Sequence, residues 1–321
     1  MRRVLCAEYG PPGSLQIVEE PDPTPVPGQV VVAVEAAGVN FADALTVAGK
    51  YQIKIPTPFT PGMEMAGTIS TVSDGVENFA VGDRVLGMVF GAYASHVVAP
   101  VSSLVRVPDG LDLDRAASLV SNYSTMWFSL TRRTTVKPGE TVLVLGAGGG
   151  IGLAAVDVAN ALGARVIAAA SSTAKLDGAR ALGATDVINY ATEDLKVRAK
   201  ELSGGGVDVV VDPVGGDLAE PALRATGWNG RFLVIGFAGG IQKLPANLVL
   251  LNNRTLIGVD WGAWAGRDQA GQRALLDEIL AAVAAGRLHP PPPDRAPLEN
   301  AGAVLQSVLD RQLVGKTILF P

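Results

Sequence analysis

Gly146-Ala147-Gly148-Gly149-Gly150-Ile151-Gly152 joins an apolar, β-branched run, Thr141–Leu145, to an Ala-, Val- and Leu-rich stretch at residues 151–162. The first segment reads as a buried strand and the last as a helix, so the glycines sit on a strand-to-helix turn. Ala147, Gly149 and Gly152 align with the three small-residue positions of a dinucleotide fingerprint, with Ala in the first. Glycine there lets the backbone approach a pyrophosphate. The helix N-terminus behind it offers N–H groups and a partial positive charge. A tight turn with no ligand is the plain alternative for a lone glycine string.

The flanks argue against that alternative. Apolar strands recur at Thr141–Leu145, Arg165–Ala170, residues 186–190, Val207–Asp212, residues 231–235 and residues 255–261. Their starts are 24, 21, 21, 24 and 24 residues apart. Helical patterns lie between most of them, and those at residues 151–162 and 173–182 stop at Gly163 and Gly183. Glycine just past a helix marks its end, because it enters the left-handed conformation cheaply. Strand and helix in alternation at this interval predict βαβ units on a parallel, doubly wound sheet. The first 120 or so residues read differently. Prolines at 21, 23, 25, 27, 56, 58 and 61 punctuate short apolar strands, as in a compact β-rich, barrel-like domain. After residue 262 come a helix at 268–285, a proline run at 290–293, a short helix near 298–309 and a strand, Thr317–Phe320. This tail is too small to fold alone and is expected to return to the N-terminal domain. The division is therefore 1–122, 123–262 and 263–321.

The end of the second strand reports on the nucleotide. A site for an unphosphorylated ribose places Asp or Glu about 20 residues past the glycines. Here Ser171-Ser172 stands there, 19 residues after Gly152, with Lys175 in the next helix. Two hydroxyls and an ammonium suit a 2′-phosphate, and no carboxylate repels it. Tyr190, ending the third strand, adds a phenolic donor. NADP(H) is expected ahead of NAD(H). The plainer roles are an N-cap for Ser172 and a solvated helix position for Lys175.

Composition narrows the rest. The formal net charge is -5, and no basic block stands out, which argues against nucleic acid as the main partner. One cysteine, Cys6, excludes an intrachain disulfide and any four-cysteine zinc site. The two histidines, His96 and His289, leave little material for a His-based metal centre. No secretory or membrane-spanning segment stands out, and a cytoplasmic protein is expected.

Six motifs occur in order: Asn40-Phe41-Ala42-Asp43, Pro61-Gly62-Met63-Glu64-Met65-Ala66-Gly67, Val81-Gly82-Asp83-Arg84-Val85, Ala147 to Gly152, Asp212-Pro213-Val214-Gly215-Gly216 and Gly315-Lys316-Thr317. Together they resemble the medium-chain dehydrogenase/reductase superfamily, specifically its zinc-free quinone oxidoreductase branch, over essentially the whole chain. The resemblance implies an α/β protein with a GroES-like catalytic domain built from both termini and a central Rossmann domain. It also implies a homodimer. Zinc-dependent relatives carry an early Cys and a His-Glu pair, whereas this chain has Asn40 and Asp43 in the first region and Met63 before Glu64. One carboxylate without such partners is not a zinc site. The resemblance makes Asn40, Asp43 and Tyr51 acceptor-side candidates. Tyr51 would donate its phenolic hydrogen or pack as a rim aromatic near Phe59, and Asp43 would orient Asn40 or cap a turn. On the cofactor side it implies Thr125 near the nicotinamide ribose or amide, backbone groups of Phe237 at the carboxamide, and Arg311 at the 2′-phosphate.

The expected function is metal-free, NADPH-dependent hydride transfer to a quinone or similar conjugated carbonyl. An enone or 2-alkenal double-bond reductase uses the same hydride and is not separated from it by these residues. A reading of another class is an NADPH-binding structural, crystallin-like protein or an RNA-binding protein, the latter opposed by the charge.

Overall fold

Alternation of short apolar runs with helical stretches builds fifteen strands and ten α-helices in the computed structural model, which describes residues Met1–Pro321. In order these are β1 (Arg2–Leu5), β2 (Gln16–Glu19), β3 (Gln29–Gly38), α1 (Phe41–Val47), β4 (Glu64–Val72), β5 (Arg84–Met88), β6 (His96–Pro100), β7 (Leu104–Arg106) and α2 (Leu113–Phe128). Then come β8 (Thr141–Leu145), α3 (Gly150–Ala161), β9 (Arg165–Ala170), α4 (Thr173–Ala181), β10 (Asp186–Asn189), α5 (Leu195–Ser203), β11 (Val207–Asp212), α6 (Ala219–Ala225) and β12 (Thr226–Val234). The chain closes with α7 (Ala246–Leu250), β13 (Thr255–Gly258), α8 (Trp261–Arg267), α9 (Gln269–Ala284), β14 (Asp294–Pro297), α10 (Ala301–Leu309) and β15 (Thr317–Phe320).

Two compact units result. One comprises residues 1–121, 268–284 and 290–321; the other comprises residues 122–267 and 285–289. The first is held by a seven-stranded sheet, in which six strands follow the path β14-β15-β3-β4-β5-β7 and β6 pairs with β3 off it. Strand β15 runs antiparallel to β3, with Ile318 opposite Gly38, so the C-terminal tail does return to the N-terminal sheet. Its core gathers Val30, Val32, Met65, Ile69, Val85, Leu104, Leu305 and Leu319.

The second unit is a parallel sheet in the order β10-β9-β8-β11-β12-β13. All five residues of β8 are buried, as a strand covered on both faces requires. The order reverses at β8, and the glycine turn lies at that strand's carboxyl end. Segment 285–289 belongs here, and the backbone N–H of His289 donates to Asp157 of α3 at 2.8 Å.

Three expectations need correction. The strand expected at 255–261 ends at Gly258. Asp260 accepts from the Ala263 N–H at 3.0 Å and starts α8, a cap that a run of apolar residues conceals. The strand expected at 231–235 begins at Thr226 and passes through the turn-like Gly227-Trp228-Asn229-Gly230 as a bulge, where pairing shifts between Val207 and Val209. The β-rich N-terminal region also contains α1, whose first turn is tied by Asp43 accepting from the Asn40 N–H at 2.8 Å.

Candidate functional site

The nucleotide side of the site is made by the turn between β8 and α3. Gly149 is the N-cap of α3, and the helix starts at Gly150. A Cβ on Gly152 would lie 2.1 Å from the Gly146 carbonyl oxygen, so only glycine lets the first helical turn fold against the loop. Ile151 is half-buried beside it. Lys175 meets the same loop from α4: a Cβ on Gly148 would lie 2.4 Å from its Cβ. The lysine stem therefore lies across the glycine turn, which the sequence alone did not require.

Ser172 is the N-cap of α4, as its plain role anticipated, yet its hydroxyl makes no capping hydrogen bond. Ser171 is exposed beside it. Tyr190 follows β10, and its N–H donates to the Ala170 carbonyl at 3.1 Å. It lines an open cavity of about 700 Å³ together with Gly216, Gly239, Ile241 and Lys243. Thr125 is buried in α2. Phe237 is 51% exposed, and its carbonyl accepts from the Gly240 N–H at 2.9 Å, so that group is already engaged in a turn. Arg311 belongs to the first unit. It takes a left-handed conformation, φ 57°, just past α10, so its backbone closes that helix.

Two residues that the sequence reading missed hold the loops around Phe237. Asp212, buried at the end of β11, accepts from the N–H groups of Val214 (2.9 Å) and Gly215 (2.7 Å). The Gln242 amide donates to Asp212 at 3.0 Å and to the Gly236 carbonyl at 2.9 Å. Burial pushes the Asp212 carboxyl above its ordinary range, opposed by these donors. Asp212 was visible only as part of a motif, and Gln242 carried no signal.

The acceptor-side candidates stand in the first unit. Asn40 and Asp43 are brought together at the start of α1. Tyr51 follows that helix in a turn, its N–H donating to the Leu45 carbonyl at 3.1 Å. Phe59 has Tyr9 and Phe90 as ring neighbours, at 6.1 and 6.0 Å. The same Asp43 oxygen that caps α1 accepts from the Tyr93 hydroxyl at 2.9 Å. Burial raises the Asp43 carboxyl to about 7 despite these donors and nearby Lys316. Burial and Asp43 together push the Tyr93 phenol well above its usual range.

Asn40 also reaches two residues not read as functional. Its Nδ2 donates to Glu64 at 2.7 Å, and its Oδ1 accepts from Lys316 Nζ at 2.6 Å. Lys316 and Glu64 form a buried ion pair at 2.5 Å. The second Glu64 oxygen accepts from the Ser121 N–H at 2.6 Å. No group of three or more His, Cys, Asp or Glu side chains is arranged to hold a metal ion. His96 lies at the start of β6, its Nδ1 3.2 Å from Ser95 Oγ, and His289 in the loop after α9.

A doubly wound sheet with a glycine turn at its switch point, in a chain whose two ends share a second β-rich unit, defines a dinucleotide-dependent oxidoreductase. Residues 26–109 match the alcohol dehydrogenase GroES-like domain, and residues 150–279 match the zinc-binding dehydrogenase domain. The chain is 40% identical to quinone oxidoreductase-like protein 2 of Bos taurus, over 99% of this chain and 92% of that one. It is 34% identical to a 2-haloacrylate reductase of a Burkholderia species, over 93% and 92%. The structure of the quinone oxidoreductase from Thermus thermophilus, solved also with NADPH, matches with a TM-score of 0.86 at 33% identity, over 100% of each chain. The chain belongs to the medium-chain dehydrogenase/reductase superfamily, in its quinone oxidoreductase branch.

Proposed function

We propose that the protein is a metal-independent, NADPH-dependent reductase of quinones or closely similar conjugated carbonyls. The observation that carries this reading is the glycine turn at the head of α3, with the Lys175 stem across Gly148 and the Ser171 and Ser172 hydroxyls in place of an acid. Glycine at 148 and 152 lets the Lys175 stem and the Gly146 carbonyl close on the turn, and the N-terminus of α3 behind it suits a pyrophosphate. Bound there, NADPH supplies the hydride and the protein supplies orientation and electrostatics.

The chain's own residues then have distinct work. Lys175, Ser171, Ser172 and Tyr190 hold the 2′-phosphate end, with Arg311 as a further candidate. Thr125 and the Phe237 loop hold the nicotinamide end. Asn40 and Tyr51 donate hydrogen bonds to the acceptor oxygen as it gains charge, in place of a Lewis acid. Asp43 orients Asn40 through its backbone. Metal independence is supported by the donor set: three N–H groups already occupy the two Glu64 oxygens, and Met63 precedes it. The working assembly is a homodimer.

A purified sample assayed with a quinone, following NADPH oxidation, tests the reading. Turnover that needs no added metal and survives a chelator is the expected result. No quinone turnover, or activity lost with about one zinc per chain, would overturn it. Reduction of an activated C=C bond is the second reading, and the similarity to 2-haloacrylate reductase favours it. A parallel assay with a 2-alkenal separates the two.

A further inference from the structure

Three strand ends meet at one end of the first unit's sheet. Ile318 of β15 lies opposite Gly38 of β3, and Ala37 of β3 lies opposite Met65 of β4. One step along the second ladder sets Glu64 beside Gly38, and two steps along the first set Lys316 beside Asn40. Positions 38 and 40 share a face, because side chains alternate along a strand. A Cβ on Gly38 would lie 2.3 Å from Glu64 Oε1, so glycine there leaves the room that the carboxylate fills. Residues 252 apart in sequence, Glu64 and Lys316, are thereby paired, at 0% and 8% exposure.

The chemistry of the pair fixes the direction of the Asn40 amide. A lysine ammonium can only donate, and a carboxylate can only accept. Oδ1 must therefore face Lys316 and Nδ2 must face Glu64, as observed at 2.6 and 2.7 Å. A reversed amide would set oxygen against carboxylate and N–H against ammonium at both contacts. Nδ2 carries two hydrogens, and Glu64 engages one. Asn40 is only half-buried, so its side chain is within reach of a ligand.

We propose that Lys316 is a positioning residue for the reduction step: its ammonium locks the Asn40 amide with oxygen inward, so that an N–H and never the carbonyl meets the acceptor oxygen. The inference rests on the reductase reading for its consequence but not for its geometry. An unlocked amide presents its oxygen part of the time, and that oxygen repels an acceptor gaining negative charge. Lys316 thus acts on hydride transfer only through Asn40.

The test uses the full chain. Lys316→Met alone strands the buried Glu64 charge and risks misfolding. Lys316→Met/Glu64→Gln removes both charges and keeps the shape. Its expected kcat with a quinone is about twofold or more below wild type, the loss when half or more of the Asn40 amides are reversed, with the NADPH dissociation constant unchanged. In an Asn40→Ala background the same pair of changes should cost no further kcat. A kcat equal to wild type, or an equal loss with and without Asn40, overturns the proposal. Side-chain amide NMR on protein labelled with ¹⁵N-asparagine is independent of activity. The Asn40 NH₂ pair, identified by its loss in Asn40→Ala, should be single in wild type and doubled or exchange-broadened in Lys316→Met/Glu64→Gln. An unchanged pair refutes the lock. A wild type inert to quinones and alkenals refutes the reductase reading instead, and the NMR result still decides the lock.

Discussion

Asp43 Oδ2 accepts from the Asn40 N–H and the Tyr93 hydroxyl, while Oδ1 is buried without a partner. A proton held by this carboxyl would sit on Oδ1, because Oδ2 already accepts two hydrogen bonds. The folded carboxyl titrates at about 7, against an ordinary 3.8. Between those two values the native state binds more protons than the unfolded chain, so stability falls as pH rises through that window. A shift of this size corresponds to a loss of about 4 kcal/mol, with no Asp43 contribution to the slope on either side. Asp43→Asn keeps an oxygen for both donors and cannot ionise. Urea unfolding at about pH 5 and about pH 8 covers about two pH units of that window, so wild type should lose about 3 kcal/mol more between them than the variant does. Parallel pH profiles would refute the assignment. Lys175 makes a separate test. A charge-assisted hydrogen bond is worth roughly 1.5–3 kcal/mol, so Lys175→Ala should weaken NADPH binding about 10- to 100-fold and leave NADH nearly unchanged. Ser172→Asp should tilt preference towards NADH by placing a carboxylate where the 2′-phosphate would lie. Equal weakening of both coenzymes by Lys175→Ala would return the lysine to a packing role over Gly148.

Loops at the carboxyl ends of β11 and β12 are joined by one side-chain bridge, from Gln242 to Asp212 and to the Gly236 carbonyl. Asp212 is fully buried, so losing a donor leaves a desolvated carboxylate less satisfied. Gln242→Ala should cost about 1–3 kcal/mol of stability and speed amide exchange across residues 236–243. Unaltered exchange there would show that the loop is held by its own turns. Elements of this unit were legible because a parallel sheet covered on both faces demands unbroken apolar strands, and the glycine turn marks its entry. The failures are local. Asp260, which starts α8, sits directly behind an apolar strand, and Gly227 to Gly230 look like a turn but form a bulge. Helix α1 escaped because Asn40 and Asp43 were read for chemistry, although Asp43 also ties the helix start. The Lys316–Glu64 pair escaped for a different reason: strand register brings together positions 252 apart, and no local pattern records register.

At the scale of the whole molecule, the parallel sheet ends on an open edge. Strand β13 pairs with β12 alone and has no strand on its other side, where Arg133 Nε donates to the Gly258 carbonyl at 3.0 Å. An unpaired edge of this kind templates further pairing unless something blocks it. Around it the surface is apolar: Leu256 on β13 is 39% exposed, Leu250 and Leu251 at the end of α7 are 76% and 52% exposed, and Trp228 on β12 is 68% exposed. No lysine, proline or other blocking residue stands within Thr255–Gly258. A two-fold axis beside β13 would set the strand antiparallel to its copy, continue the sheet, and bury the same leucines from both sides, as a self-complementary interface requires. We therefore expect a dimer at micromolar concentration in sedimentation velocity. Leu250→Glu/Leu256→Glu places like charges against their symmetry mates and should shift the protein to monomer. Both positions lie outside the glycine turn and the 2′-phosphate residues, so NADPH binding should persist in that monomer. A monomeric wild type would refute the assembly outright. A double variant that stays dimeric would move the interface away from β13 and leave its edge without an assigned partner.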